Sequence, residues 1–523
     1  MTRRNWLEVL LIFFVFFLEG AYLVPDTNEA HYLGKAARFW NPDYAPGDFL
    51  LSTPDAHGVF VWTVGWLTVL LPLPVVAWIG RLATWFGLAF FWQKLSWKLI
   101  PLPWTSVVTA GAFVCLNAQF HLAGEWVVGG FEAKSIAFVF VFWGLSELVS
   151  GNWNRVWILF GLASMFHVLV GGWSVVAAGL SWVYMPVKER PTLKSFWKGL
   201  VLGGLLSLPG LLPVLLLNMG TDPETTLRAN RLYVYYRLPH HVLLTALPSW
   251  YVLRFCLISV TAVFLMTRSC VIENLPARRL QGWVAGSLTI AVLGAAWSGL
   301  SKSYPDSMAA LLRFYWFRLS DMAVPLGIAL LGGFIYYQLR FENVSSTGER
   351  SAPKKTPKRA FVLAALILFL AAGETLINVN RLLFPIPPRQ CGLAANYAYW
   401  LDACTWAKEN TPPDALFVVP KMARTFTWYS ERGTVVNWKD VPQDAKGLNE
   451  WWNRVHAFYL RPDPERPGKF YWTDSLALQP QKRLIAAAKR YGASYLITNA
   501  RTPIDLPKAY ENRYMTIYQF PKE

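Results

Sequence analysis

The chain has 523 residues, of which 54% are hydrophobic and 16% are aromatic, whereas only 15% are charged. A water-soluble protein of this length carries about a quarter charged residues, so the composition excludes an ordinary soluble enzyme and indicates many membrane spans. The net charge of +17 does not indicate a nucleic-acid partner. The basic residues lie mostly at the ends of predicted spans, where they follow the positive-inside rule.

Apolar stretches of about 17–25 residues, the length that crosses a bilayer, recur from Leu7 to Ile377. Arg3 and Arg4 precede the first stretch, but no small-residue cleavage site follows it, so we expect it to be retained as a span. The distribution of Lys and Arg places the N-terminus in the cytoplasm of an inner-membrane protein. The eleven predicted spans are 6–24, 75–93, 104–120, 134–150, 156–170, 173–185, 198–217, 250–266, 282–300, 322–339 and 360–379.

The stretch GVFVWTVGWLTVLL, residues 58–71, is apolar but short, and PLP follows it at once. Counting it as a full span would move Lys94 and Lys98 to the outer side, against the positive-inside rule. We therefore predict a short re-entrant or interfacial helix here. The alternative is a bundle of twelve spans.

Residues 380–523 have a different composition. The runs DALFVVP, TVVNW, ASYLITN and RYMTIYQF predict strands, and YWLDACTWAKEN and PQKRLIAAAKRYG predict amphipathic helices. Such alternation is typical of an α/β domain, which eleven preceding crossings would place outside the cytoplasm. The sequence therefore predicts a mainly α-helical polytopic bundle of about 11–12 spans over residues 1–379 and an extracytoplasmic α/β domain over residues 380–523.

Two of the five cysteines, Cys391 and Cys404, belong to this predicted outer domain. An oxidising exterior permits a disulfide between them, and two reduced thiols are the alternative. The other cysteines lie in or beside spans, where a reduced thiol is expected. No CxxC or Cys/His zinc spacing is present in the sequence.

The segment PDTNEAHYL presents Asp26, Glu29 and His31 directly after the first span. Asp26-x-x-Glu29 has the spacing of a capping box, which would make both acids structural. Functional acids are the second interpretation, since charge beside lipid is costly and is usually retained for a reason. The same outer loop also contains Asp43, Asp48, Asp55 and His57, and the next one, HLAGEWVVGGFEAKSIAF, adds His121, Glu125, Glu132 and Lys134.

This pairing of acid-bearing outer loops resembles the GT-C class of integral-membrane glycosyltransferases, in which an acidic motif opens the first external loop and a second lies in the next. By position, Asp26 and Glu29 resemble the first motif, and Glu132 in GGFEAKSIAF resembles the second. This chain has Glu132-Ala-Lys134 where the second motif would have two acids. NEAHYL, GGFEAKSIA, FTWYSERGTVVNWKD and NEWWNR also resemble an uncharacterised bacterial family of multi-span proteins.

The resemblance implies transfer of a sugar from a polyprenyl-phosphate donor in the lipid bilayer to an extracytoplasmic acceptor. We expect Asp26 to act as the base, and Glu29 and Glu132 to orient the acceptor or a divalent cation, Mg²⁺ or Mn²⁺. A departing phosphate needs positive charge, for which arginine is well suited. We expect the substrate to be bound by His31, His57, Lys134, Arg313 and Arg318.

Two other functions fit parts of the sequence. A transporter or flippase for a lipid-linked or anionic substrate would need ionisable residues deep within spans, of which Arg81 and Arg254 are the main examples. A non-enzymatic envelope scaffold fits the outer domain but leaves the clustered acids unexplained. No GxxxxGK[ST] motif is present, so the sequence gives no sign of ATP hydrolysis.

Overall fold

The computed structural model describes residues 2–341, 358–384, 397–463, 466, 468–473 and 475–521. Within these ranges the chain forms two compact units. The helical unit comprises residues Met1–Tyr22, Ile79–Leu212 and Tyr233–Phe384, and the α/β unit comprises Leu23–Trp78, Pro213–Leu232 and Pro385–Glu523.

Every one of the eleven predicted spans overlaps a helix, and the fold is mainly α-helical as expected. These helices are α1 (Arg3–Gly20), α5 (Leu73–Leu99), α6 (Thr105–Phe120), α7 (Ala133–Ser150), α8 (Trp153–Phe166), α9 (Val168–Tyr184), α10 (Leu193–Leu216), α13 (Ser249–Met266), α15 (Leu275–Leu300), α17 (Arg318–Phe341) and α18 (Lys358–Leu383). Residues 58–71 hold two short helices, α3 (Gly58–Thr63) and α4 (Leu67–Leu70), and no continuous span.

Seven of the described helices, α5, α7, α10, α13, α15, α17 and most of α18, are long and apolar enough to cross a membrane. Helices α6 and α9 are apolar but shorter. The chain is therefore an integral, multi-pass membrane protein. The remaining short helices are α2 (Glu29–Trp40), α11 (Pro223–Arg231), α12 (Pro239–Val242), α14 (Ser269–Glu273) and α16 (Pro305–Leu312), and residues Leu232–Arg237 form a π-helical turn.

Helix α17 forms the centre of the helical unit, since almost all of its apolar stretch is buried inside the protein. Close packing elsewhere depends on glycine. A Cβ added to Gly161 of α8 would lie 2.2 Å from the carbonyl oxygen of Gly203 in α10, so the two helices touch backbone to backbone there.

Glu8 is buried within α1 because its carboxylate accepts hydrogen bonds from the Trp104 amide (3.0 Å) and the Ser106 hydroxyl (2.6 Å).

The α/β unit contains a five-stranded mixed sheet in the order β2 (Gly433–Thr434), β1 (Leu416–Val418), β5 (Tyr495–Asn499), β7 (Met515–Gln519), β6 (Lys508–Glu511). Strand β1 pairs in parallel with β2 and β5, whereas β7 pairs antiparallel with β5 and β6. A separate hairpin joins β3 (Leu460–Pro462) to β4 (Phe470–Trp472). The predicted strands in DALFVVP, ASYLITN and RYMTIYQF are confirmed, whereas the prediction for TVVNW is wrong beyond its first residue, Thr434, which ends β2.

Helices cover both faces of this sheet. Phe417 and Ile497 pack on one side against α19 (Tyr397–Asn410) and α20 (Phe426–Ser430). Val418 and Leu496, which are adjacent to Phe417 and Ile497 in the two strands, pack on the other side against α21 (Ala445–Tyr459) and α22 (Gln481–Tyr491). The alternation of side chains along each strand therefore fills two cores and gives a three-layer α/β/α sandwich.

Candidate functional site

The acidic segment after the first helix lies in the α/β unit, and its two carboxylates differ. Oε2 of Glu29 accepts a hydrogen bond from the Asp26 amide at 2.7 Å, and Glu29 is buried. The Asp26 amide is therefore capped as a capping box requires. The Glu29 amide, however, donates to the backbone carbonyl of Asp26 at 3.0 Å, and Oδ1 of Asp26 accepts from the Thr27 hydroxyl at 3.1 Å. The Asp26 side chain is half-buried, and only one half of the predicted box is formed by a side chain.

A carboxylate, an imidazole and a phenol form a chain beside α2. Oδ1 of Asp55 lies 3.0 Å from Nδ1 of His57, and Nε2 of His57 lies 3.3 Å from the Tyr32 hydroxyl. Gln443 reaches the same imidazole from the C-terminal segment, with its Nε2 atom 3.2 Å from Nδ1. The His57 hydrogen bond and charge, together with the Lys35 ammonium, outweigh burial and hold the pKa of the Asp55 carboxyl well below its usual range. Asp55 is therefore ionised at neutral pH.

His31 and Lys35 lie on α2 next to this chain. Burial, with the Lys35 charge as the next cause, lowers the pKa of His31 to about 3, so the imidazole is neutral at physiological pH. The Lys35 ammonium donates to the carbonyl oxygen of Thr53 at 2.7 Å and to its hydroxyl at 3.2 Å. Lys35 therefore fixes the segment that leads into Asp55.

A buried ion cluster lies in the helical unit, at the start of α7. The Lys134 ammonium is 2.9 Å from Oε1 of Glu125 and 3.1 Å from Oε1 of Glu132. It also lies 3.7 Å from the ring centroid of Trp126. Glu132 is the N-cap of α7, and its amide donates to the Ser135 hydroxyl at 3.3 Å. Because the charges are paired, they can be buried together.

Arg318, the first residue of α17, extends the cluster. Its Nε atom is 2.9 Å from Oε2 of Glu125, its Nη1 atom is 3.2 Å from Nε2 of His167, and its guanidinium lies 4.2 Å from the ring centroid of Tyr315. Asp321, one turn further along α17, accepts hydrogen bonds from the amides of Leu122, Ala123 and Glu125 at 2.7–3.1 Å. One end of α17 therefore holds the 121–125 loop in place.

The structure brings some predicted site residues together within each unit. Glu132, Lys134 and Arg318 share one cluster of the helical unit, and Arg313 is half-buried at the end of α16. Asp26, Glu29, His31 and His57 belong to the α/β unit. The roles assigned to these residues in binding and catalysis stay predictions.

Sequence reasoning missed Glu125, His167 and Asp321 as members of the cluster. The spacing of Arg318 and Asp321 could have identified Asp321, because residues three apart lie on the same side of a helix. Asp55 was noted as an outer-loop acid, but its pairing with His57 was not foreseen. Cys391 lies outside the described residues, so its disulfide with Cys404 stays a prediction.

The acids predicted as metal ligands have other partners. Glu132 is paired with Lys134 and Glu29 with the Asp26 amide, and among the described residues no group of three or more His, Cys, Asp or Glu is arranged to hold a metal ion. A site for Mg²⁺ or Mn²⁺ would need at least one further acidic or carbonyl ligand. The described residues by themselves do not fit a divalent cation, and Mg²⁺ or Mn²⁺ binding stays a prediction.

Comparison with known proteins gives a family match over a short part of the chain and structural likenesses to solved proteins, two of which follow. Residues 398–458 match the model of a domain of unknown function, DUF6798. No curated protein matches the sequence. The archaeal oligosaccharyltransferase AglB from Archaeoglobus fulgidus, in complex with an inhibitory peptide and a dolichol-phosphate, aligns with 95% of this chain and 69% of its own, at 11% identity and a TM-score of 0.43. A crystal structure of the Archaeoglobus fulgidus oligosaccharyltransferase with zinc and sulfate aligns with 95% of this chain and 68% of its own, at 12% identity and a TM-score of 0.42.

Proposed function

We propose that this protein is a membrane glycosyltransferase that transfers a sugar from a polyprenyl-phosphate donor to an extracytoplasmic acceptor. The observation that carries the proposal is the hydrogen bonding and partial exposure of the Asp26 carboxylate. If the acids after the first helix served only to start α2, both carboxylates would accept backbone hydrogen bonds. Glu29 does so, but the Asp26 carboxylate accepts from the Thr27 hydroxyl instead and stays half-buried.

In the proposed reaction, an acceptor hydroxyl oxygen attacks the anomeric carbon of the donor sugar while the bond from that carbon to the phosphate oxygen breaks. Asp26 takes the proton of the acceptor hydroxyl, and polyprenyl phosphate leaves with the bonding electron pair. A positioned carboxylate contributes to such a step by general base catalysis, worth about 10²–10⁴-fold in rate.

Within the helical unit, Arg318 is the candidate group for binding a phosphate. Its guanidinium is oriented by Glu125, His167 and Tyr315, so little conformational freedom is lost when an anion binds. Arginine also presents a planar set of donors that suits phosphate oxygens. Lys134, paired with both Glu125 and Glu132, fixes the position of Glu125 in this proposal.

A transporter is the second candidate, and its supporting observation is the charge buried in the helical unit. The examples with the least exposure have fixed partners, however. Glu8 accepts from Ser106 and Trp104, and Arg81 donates to the Tyr22 carbonyl at 2.6 Å. Such contacts join helices rather than line a route for a substrate.

The test uses purified protein in liposomes with a polyprenyl-phosphate-linked sugar, and measures release of polyprenyl phosphate and labelling of an acceptor mixture. Asp26→Asn should lower the rate by at least about 100-fold without changing the melting temperature, whereas Asp43→Asn, an exposed acid in the same outer segment, should leave it unchanged. Full activity in Asp26→Asn would reject the assignment. Flux of the intact donor without any covalent product would favour the transporter.

A further inference from the structure

Strand β4 exposes three consecutive aromatic side chains in the α/β unit. Phe470 is 54% exposed, and Tyr471 and Trp472 are each 39% exposed. The register pairs Trp472 with Leu460 and Tyr471 with Arg461. Because successive residues of a strand face opposite sides, Trp472 and Tyr471 present equal exposure on the two faces of the hairpin. Aromatic area of this kind on a protein surface marks an interaction site.

Trp472 is held by other rings. Its ring centroid lies 5.2 Å from that of Trp438, 5.9 Å from Trp452 and 5.4 Å from His456, with interplanar angles of 63°, 64° and 70°. Edge-to-face contacts of this kind are favourable. Trp438 in turn packs at 5.3 Å against Trp451, which is fully buried in the core. The exposed ring is therefore fixed in orientation before any ligand arrives.

A cation lies over the same rings. The Lys421 ammonium is 5.3 Å from the ring centroid of Trp438 and 5.6 Å from that of Trp472, within the range of cation–π attraction. The Trp438 amide donates to the Lys421 carbonyl at 2.8 Å, which ties the two segments together. Lys421, Trp438 and Trp472 thus combine apolar ring area with a positive charge.

A polar atom completes the arrangement. Nε2 of His456 is buried and has no hydrogen-bond partner among the residues that the structure describes. Burial and the charges of Arg483 and Arg228 lower the pKa of His456, so the ring is neutral at physiological pH. A buried polar atom without a partner costs free energy, and a ligand hydroxyl next to Trp472 would offset that cost.

We propose that Lys421, Trp438 and Trp472 form a binding platform for an anionic carbohydrate. The apolar C–H face of a sugar ring stacks on the tryptophans, and its carboxylate or phosphate pairs with Lys421. The interpretation of this platform as the acceptor site rests on the proposed glycosyltransferase function, whereas carbohydrate binding itself does not.

A lipid surface also attracts aromatic and basic residues, but the hairpin register disfavours it. Trp472 pairs with Leu460 at the end of the hairpin away from its loop, whereas Phe470 pairs with Pro462 nearer the loop. Insertion into a bilayer would use the tip of the hairpin. The fixed rings and the cation lie at the opposite end.

The test measures binding by isothermal titration calorimetry with the full-length protein in detergent. The probes are tetragalacturonate, which is anionic, and maltotetraose, which is neutral. We expect wild-type protein to bind tetragalacturonate at least about tenfold more tightly than maltotetraose, and Trp472→Ala to weaken that binding about tenfold or more. Tyr471→Ala, the matched control with equal exposure on the other face, should change it less than twofold.

Lys421→Gln provides a second variant that leaves the rings intact and should abolish the preference for the anionic probe. Absence of saccharide binding by wild-type protein, or equal losses in Trp472→Ala and Tyr471→Ala, would overturn the proposal. Trp472-dependent binding of dihexanoyl phosphatidylglycerol with no saccharide binding would assign the surface to lipid and also overturn it. Asp26→Asn should bind tetragalacturonate normally, so failure of transfer and failure of this platform are separable.

Discussion

The carboxylate of Asp48 joins the segment that follows α2 to strand β2 of the sheet, through Thr434. Its Oδ2 atom accepts from both the amide and the hydroxyl of Thr434, each at 2.9 Å, and its Oδ1 atom accepts from the Leu51 amide at 3.0 Å. Asp48 is buried. Through this contact, residues Leu23–Trp78 and the C-terminal segment are joined within one α/β unit.

Replacement of Asp48 by Ala should destabilise the α/β unit by about 2–4 kcal/mol, since the buried Thr434 amide would lose its acceptor. The measurement is chemical unfolding of detergent-solubilised protein followed by tryptophan fluorescence. Asp43→Ala, at an exposed acid of the same segment, is the control and should have no effect. Equal unfolding curves for the two variants would contradict this role.

The Lys134–Glu125 ion pair predicts non-additive mutations. Both side chains are 6% exposed. Glu125→Gln removes the carboxylate that pairs with Arg318, and Lys134→Met removes the ammonium that pairs with Glu132, so each should cost about 3–5 kcal/mol. The double variant should differ from the sum of the two losses by about 0.5 kcal/mol or more, because the two residues share one cluster. Thermal unfolding of the four proteins gives the coupling. Lys408→Met breaks an ion pair with Glu431 that is 46% exposed on each side and should leave the melting temperature unchanged.

The low pKa of His31 predicts that acid destabilises the α/β unit. Its pKa is lowered to about 3 in the folded chain, by burial first and then by Lys35, whereas an unfolded histidine titrates near 6.5. The unfolded state therefore binds more protons between these values. The contribution to stability is complete above pH 6.5 and is lost as pH falls, by at most about 1.4 kcal/mol per pH unit.

The charged and titratable groups that act on His31 are Lys35, Asp55, His57 and Lys439. Hydrogen exchange of peptides from residues 23–78, followed between pH 7 and pH 4.5 and corrected for the intrinsic exchange rate, should show protection that decreases with acidity in the wild type. His31→Gln should flatten that dependence. An unchanged pH profile in the variant would show that His31 is not the group responsible.

The contact between α8 and α10 predicts that Gly161 accepts no larger residue. A Cβ there would lie 2.2 Å from the Gly203 carbonyl oxygen, so Gly161→Val should separate the helices and cost about 1–3 kcal/mol or more. Gly172→Val is the control, because an added Cβ at Gly172 has no atom within 4 Å. Melting temperatures in one detergent compare the two, and equal values would contradict the close packing.

The sequence by itself determined the long apolar helices and three of the seven described strands. Apolar runs long enough to cross a bilayer leave the backbone no alternative to a helix, because every N–H and C=O group must be satisfied within the segment. All eleven predicted spans overlap helices for this local reason. Likewise, short runs of β-branched or aromatic residues predicted β1, β5 and β7 before any partner strand was known.

Only the tertiary structure decided which charged residues share a cluster. Glu125, Lys134 and Arg318 come from two distant stretches of the chain, and no local pattern relates them. The capping-box spacing is compatible with two structural acids and with functional acids. The fold assigned Glu29 to the Asp26 amide and left the Asp26 carboxylate on a side-chain hydroxyl.

The physical reason is the range of the interactions. Helix formation and strand propensity act over a few residues and are written in the order of the sequence. Pairing of buried charges is set by distances between segments that are far apart along the chain, and it is decided only when packing excludes water from both partners. The link between Asp48 and Thr434 is of this second kind, and it could not have been inferred from either segment alone.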